Sequence, residues 1–202
     1  MKYTNYKKLD NLSDMIPSGT PEGWLYIGDD NVRYLLGEPK ENNILVFGVN
    51  PSTATPAKTD RTITKVRNIC HNQDMDYGWI MANIFPLRET EPDNLPVIAN
   101  SVLSDNNIHI LSLLLQSYHI KKVWAAWGDL IERRNYLLEE LFKIKRLFNN
   151  DNALFWYHTG SITKGGNPRH PLYLKNDSIF EPFDLLEYLC GYNALAKEYG
   201  LL

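Results

Sequence analysis

Apolar and polar positions divide this chain into a polar start, a hairpin, and an alternation of strands and helices. Residues 1–22 are mostly polar and carry Pro17, Gly19 and Pro21, which predicts a loosely structured arm. Two apolar runs follow, Trp24-Leu25-Tyr26-Ile27 and Val32-Arg33-Tyr34-Leu35-Leu36, with turn formers Gly28-Asp29-Asp30-Asn31 between them. That pattern predicts a β-hairpin over 24–36, ended by Gly37-Glu38-Pro39. From residue 44 the runs Ile44 to Val49, Tyr77 to Ile84, Lys122 to Trp127 and Ala153 to His158 read as strands. The segments between them have helical spacing. Ile63, Val66, Ile69 and Cys70 share one face of a helix capped by Asp60 or Thr62. Ser101 to Tyr118 is Leu-rich, and Leu130 to Phe148 carries a stripe of Leu137, Leu138, Leu141, Ile144 and Leu147. A last helix is expected over 182–199.

Four apolar strands separated by helices predict an α/β fold. The expected form is a three-layer sandwich around a central, mainly parallel four-stranded sheet, with the hairpin at one edge. No linker divides the chain, so residues 1–202 are read as one domain whose core spans 44–175.

Composition narrows the function classes. A net charge of −3 argues against a protein that coats nucleic acid nonspecifically, which needs many Lys and Arg contacts to phosphate. Two cysteines, Cys70 and Cys190, are too few for a four-thiolate cluster or a cysteine-rich zinc site. The five histidines show no short ligand pair, so no metal and no cofactor is expected. The first residues lack the apolar core of a signal peptide, and no stretch approaches ~20 apolar residues. A reduced, soluble, cytoplasmic protein is the expectation, with its oligomeric state open.

In an open α/β sheet the carboxyl ends of the strands share one rim, where the chemistry sits. The first strand delivers Asn50, Pro51, Ser52 and Thr53. The second delivers Asn83, then Phe85 and Arg88; the third delivers Trp127, Gly128 and Asp129. The fourth leads into Lys164-Gly165-Gly166-Asn167-Pro168-Arg169-His170-Pro171. Each residue has a bland reading: Asn-Pro favours a turn, and a loop histidine can be surface. Asn83 is harder to set aside, because it interrupts the apolar run Ile80-Met81-Ala82-Asn83-Ile84 and a buried amide needs partners.

The motifs at this rim resemble those of the uracil-DNA glycosylase superfamily. Gly48-Val49-Asn50-Pro51 is similar to its first motif, Asn83 matches its base-reading asparagine by position, and His170-Pro171 matches the His-Pro form of its late loop. The chain is also identified as a member of a bacterial family of uncharacterised domains. The residues carrying that likeness are Arg33-Tyr34-Leu35-Leu36, Asn50-Pro51-Ser52-Thr53-Ala54, Asp60-Arg61-Thr62, Asn83-Ile84-Phe85-Pro86-Leu87-Arg88, Ala126-Trp127-Gly128 and His170-Pro171-Leu172-Tyr173. This second family implies a fold more firmly than a reaction, because fold does not fix function.

The resemblance implies a protein that recognises a nucleobase, with an N-glycosidase acting on DNA or a nucleotide as one form. A non-catalytic nucleotide- or nucleic-acid-binding module is the alternative, so enzyme activity stays open. In the catalytic form Asn50 orients a water and His170 donates a hydrogen bond to the departing base. Asn50 is no true base, since an amide takes up no proton near neutral pH. Asn83 pairs with the base edge, and Phe85 or Trp127 stacks on it. Ser52, Thr53, Arg67, Arg88 and Arg169 are the candidates for holding phosphate. Lys58, Arg61, Lys65 and Lys164 complete a candidate basic rim, although Lys65 reads better as a solvated surface residue. The roles of Asp60 and Thr62 are open.

Overall fold

The computed structural model describes residues 3–148 and 155–201. Its centre is a single seven-stranded mixed sheet. The strands are β1 (Leu25–Gly28), β2 (Arg33–Glu38), β3 (Asn42–Gly48), β4 (Tyr77–Asn83), β5 (Ile120–Ala125), β6 (Phe155–Thr159) and β7 (Phe180–Pro182). Their spatial order is β1-β2-β4-β3-β5-β6-β7. The central four, β4-β3-β5-β6, are mutually parallel. The β1–β2 hairpin joins antiparallel to β4 at one edge, as the sequence predicts. At the other edge β7 pairs antiparallel with β6.

The α/β class holds, but the four-stranded sheet was too small. The hairpin is continuous with the sheet, and β7 is a strand that the sequence pattern does not predict, ending at Pro182 where the last helix is expected to begin. Phe180-Glu181-Pro182 is short, and Pro182 cannot continue a ladder, which suits it only to an edge. Beyond it the expected single helix over 182–199 is two short ones, α4 (Leu185–Cys190) and α5 (Asn193–Glu198), separated at Gly191-Tyr192. The predicted helix from Leu130 is also divided. A 3-10 segment, Gly128–Arg133, precedes α3 (Asn135–Leu147). The first two residues of the predicted strand over 153–158 lie outside the described residues.

Strand periodicity sends side chains to alternate faces. Leu45, Phe47, Ile80, Ala82, Val123 and Ala125 enter one buried cluster, covered by α2 (Ser101–Ser117), α3, α4 and α5. Ile44, Val46, Trp79, Met81 and Trp124 enter the opposite cluster, covered by α1 (Arg61–Gln73) through Ile63, Val66, Ile69 and Cys70. Both faces of the parallel strands are therefore covered, which explains why those strands are apolar throughout.

The amino-terminal arm is more ordered than its composition predicts. It forms two 3-10 turns, Tyr6–Lys8 and Leu12–Met15, and buries Leu12 and Met15 in the larger cluster. Asn106 of α2 pins it, accepting from the Tyr6 amide at 3.0 Å and donating to the Thr4 carbonyl at 2.7 Å. A polar segment is held here by a few anchors that no local pattern reveals. No described helix is long and apolar enough to cross a membrane.

The parallel strands place the site. From β3 the chain crosses through α1 to β4 on one side, then through α2 to β5 on the other. The crossover direction reverses between β3 and β5, so the loops after those two strands diverge and open a crevice.

Candidate functional site

A cavity of about 860 Å³ occupies that crevice. Gly48, Val49, Asn50 and Ser52 line it from the end of β3, and Trp127, Gly128, Asp129 and Leu130 from the end of β5. The start of α1 contributes Asp60, Arg61, Thr62 and Ile63, and β2 contributes Arg33. The loop after β6 supplies Thr163, Lys164, Arg169, His170, Leu172 and Tyr173. Its size is in the range of small-ligand pockets, about 300–1,000 Å³.

Asn50 is held by its amide nitrogen, which donates to the carbonyls of Pro51 at 3.2 Å and Glu89 at 2.7 Å. The Glu89 amide in turn donates to the Pro51 carbonyl at 2.9 Å. With Nδ2 committed, the side-chain oxygen accepts no hydrogen bond among the described residues.

Asn83 ends β4, directly beside Gly48 of β3 in the register. A Cβ placed on Gly48 would stand 3.1 Å from the Asn83 Oδ1, so the missing side chain leaves room beside an amide that lies just behind the cavity lining rather than in it. Asn83 is 1% exposed, yet neither Oδ1 nor Nδ2 has a hydrogen-bond partner among the described residues. Its backbone is fixed from below, where Asn107 of α2 donates to the carbonyls of Asn83 and Ile84, both at 3.0 Å.

His170 caps the 3-10 turn Pro171–Tyr173, its Nδ1 accepting from the Leu172 amide at 3.3 Å. That bond assigns the proton of the neutral ring to Nε2. Burial pushes the His170 pKa down to about 4, against the weaker pull of the Asp60 charge. The ring is therefore a neutral donor at physiological pH. Gly128 backs it with φ +64°, and its amide donates to the Pro168 carbonyl at 2.8 Å.

The loop after β6 is organised by the fully buried Asn167. Its Nδ2 donates to Asp129 at 3.0 Å and Glu132 at 2.9 Å, and its Oδ1 accepts from the Tyr188 hydroxyl at 2.6 Å. Thr163 also donates to Asp129. The bonds from Thr163 and Asn167 hold the Asp129 carboxyl below its usual range.

The other sequence candidates fall in different places. Arg169 lines the cavity while bonded to Ser161 through Nε and NH2, both at 3.0 Å. Trp127 lines it too, but its ring is buried against Trp156, Phe183 and Tyr188. Thr53 opens on an adjoining cleft of about 370 Å³, shared with Ser52, Thr55 and Arg88. Arg88 is spent on structure: it donates to the carbonyls of Asp29, Ser52 and Ala54 and to the Tyr26 hydroxyl. Phe85 is buried edge-on to Tyr136, outside the cavity lining. Arg67 is also outside it, paired with Glu38 at 2.7 Å and lying over Trp24 and Trp79. Lys65 is tied to the Leu174 carbonyl at 2.8 Å.

Asp60, expected only as a helix cap, and Arg33 are cavity residues to which the sequence assigned no chemistry. Asp60 caps α1, accepting from the Ile63 amide at 2.8 Å, and lines the cavity. Arg33 is 2% exposed and also lines it. The available signal was a cation inside the apolar run Val32 to Leu36. Among the described residues, no group of three or more His, Cys, Asp and Glu side chains is placed to hold a metal ion.

Residues 33–172 match the family described as Protein of unknown function (DUF1643). No curated protein and no solved structure matches the chain.

Proposed function

The chain belongs to the DUF1643 family of unknown function, and within that family we propose that its cavity recognises a nucleobase and hydrolyses the bond joining the base to its sugar. The observation that carries this reading is the Asn83 amide, buried next to the cavity-lining Gly48 with both polar atoms unpartnered among the described residues. An unmet buried amide costs about 1–3 kcal/mol, and a ligand edge offering one donor and one acceptor removes that cost. A pyrimidine or a 6-oxopurine presents such an edge. The likeness of Gly48-Val49-Asn50-Pro51, Asn83 and His170-Pro171 to glycosylase motifs supports the same assignment.

Three groups around the cavity suit the reaction. The neutral His170 offers Nε2–H to a base carbonyl that gains negative charge as the bond breaks. Asn50 Oδ1 orients a water. Asp60 supplies the carboxylate that Asn50 lacks, and accepts a proton from that water. The water oxygen bonds to the anomeric carbon, the carbon–nitrogen bond breaks, and its electron pair leaves with the base. The base then takes a proton from solvent.

The test is incubation with uracil-, hypoxanthine- and thymine-mismatch oligonucleotides, single- and double-stranded, and with the matching nucleosides and nucleotides. Free base released by the native protein, and lost in Asn50→Ala and His170→Ala, is the expected result. Binding without release supports a non-catalytic module, which the amide at position 50 also favours. Neither binding nor release defeats both readings.

A further inference from the structure

The geometry points to Arg33 as the seat of a phosphate monoester, which makes the ligand a free nucleotide rather than a nucleic-acid strand. This rests on the nucleobase reading of the same cavity. Arg33 is 2% exposed, and its guanidinium is unusually poorly partnered for that depth. Among the described residues it makes one bond, from NH1 to the Ala54 carbonyl at 3.2 Å. Its buried Nε has no hydrogen-bond partner among them. Among the described residues it forms no ion pair within 4.0 Å.

A second cation on the same carbonyl makes matters worse for it. Arg88 donates to the same Ala54 carbonyl, at 3.2 Å, and its charge acts against that of Arg33. Burial and this repulsion push the Arg33 pKa down to about 10. Asp60 is the carboxylate whose charge opposes them, yet it lies beyond ion-pair distance and is bonded to Ile63. A buried charge left this way is costly unless something else pairs with it. The guanidinium fork matches a phosphate's oxygens, two at a time.

Depth and surroundings select a terminal phosphate. A phosphodiester brings a chain in and a chain out, whereas a monoester reaches a buried cation as an end group. Asp60, Glu89 and Asp129 line the cavity beside Arg61, Lys164 and Arg169, so the lining is close to neutral overall rather than the basic track that a nucleic-acid backbone needs. A cavity of about 860 Å³ has room for one nucleoside monophosphate.

The experiment is calorimetric titration of the native protein and of Arg33→Gln and Arg33→Lys. The probes are uridine, thymidine and inosine, their 5′-monophosphates, inorganic phosphate, and a uracil-containing single-stranded oligonucleotide. The native protein is expected to bind one monophosphate at least about tenfold more tightly than its nucleoside. In R33Q that advantage falls below about twofold with nucleoside affinity unchanged, and R33K restores part of it. Should R33Q fail to fold, a salt series on the native protein decides: added NaCl weakens the monophosphate and leaves the nucleoside alone. Equal binding of nucleoside and monophosphate overturns the Arg33 assignment and leaves the nucleobase reading standing. Tighter binding of the oligonucleotide overturns the free-nucleotide assignment. Phosphate bound through Arg33 with no nucleoside or nucleotide preference leaves the seat standing and overturns the nucleobase reading.

Discussion

Gly48 and Asn83 sit side by side at the carboxyl ends of β3 and β4, and only the bare Cα of Gly48 separates the Asn83 amide from the cavity that Gly48 lines. A Cβ at position 48 would meet the Met81 Cε at 2.6 Å and the Asn83 Oδ1 at 3.1 Å. The methionine end is flexible and can shift. The amide is then forced to turn. Gly48→Ala is therefore expected to fold with a loss of stability of about 1 kcal/mol, and to bind nucleobase ligands at least about tenfold more weakly. Chemical denaturation and ligand titration of the same variant separate the two effects.

Asn83 itself gives a sharper test. Its unpartnered amide burdens the unliganded protein, so Asn83→Leu, close in volume, is expected to raise stability by about 1 kcal/mol or more. The same change should abolish ligand binding. Stability gained while binding is lost marks a residue kept for function. A destabilised Asn83→Leu would mean that the amide serves the fold.

His170 predicts a pH dependence of stability. Its folded pKa is about 4, below the ordinary 6.5, because burial disfavours the charged ring. Between those values the unfolded chain binds the proton more readily, so stability rises with pH from about 4 to 6.5. Below about 4 both states carry the proton and the contribution is gone. Urea denaturation at several pH values should show this rise in the native protein and a smaller one in His170→Gln. Binding that depends on His170 should be flat between about pH 5.5 and 8.

Gly128 holds the turn behind that histidine. At φ +64° an L side chain is strained, and a Cβ would lie 3.1 Å from the His170 Cβ. Gly128→Ala is expected to cost about 1–2 kcal/mol and to reduce activity through displacement of His170. A thermal melt reads the first effect. Base-release or binding assays at matched folded protein read the second.

A polar clasp between α2 and α3 is expected to matter for stability alone. The buried Glu140 carboxylate accepts from Ser104 and pairs with Lys143, each at 2.7 Å. Ser104→Ala removes a hydrogen bond from a buried charge and should cost about 1–3 kcal/mol by denaturation, with ligand affinity unchanged.

Local patterns were read well where burial is local. The apolar runs became β3, β4 and β5, and the face Ile63, Val66, Ile69, Cys70 became the packed side of α1. Pairing with distant segments was not legible. Phe180-Glu181-Pro182 is a strand only because β6 offers it an open edge, and the polar arm is ordered because Asn106 reaches it from α2. Among the site candidates, Asn50 and His170 line one cavity, and Asn83 is buried beside the lining residue Gly48. Arg67 and Arg88, chosen for closeness to the motifs, are engaged elsewhere. Proximity in sequence says little about which way a guanidinium on a long stem turns.

The sequence by itself determined the α/β alternation, the hairpin, and the delivery of Asn50, Asn83 and His170 to strand ends. These follow from periodicity and turn chemistry, which act over a few residues. Only the tertiary structure decided that β3 and β5 part at the switch of crossover direction. It also decided that Asp60 faces the space so formed, and that Arg33 is buried there with its charge unpaired. Strand order and the closing of distant loops set those neighbours. The strength of a buried charge depends on what surrounds it in space rather than on what flanks it in the chain.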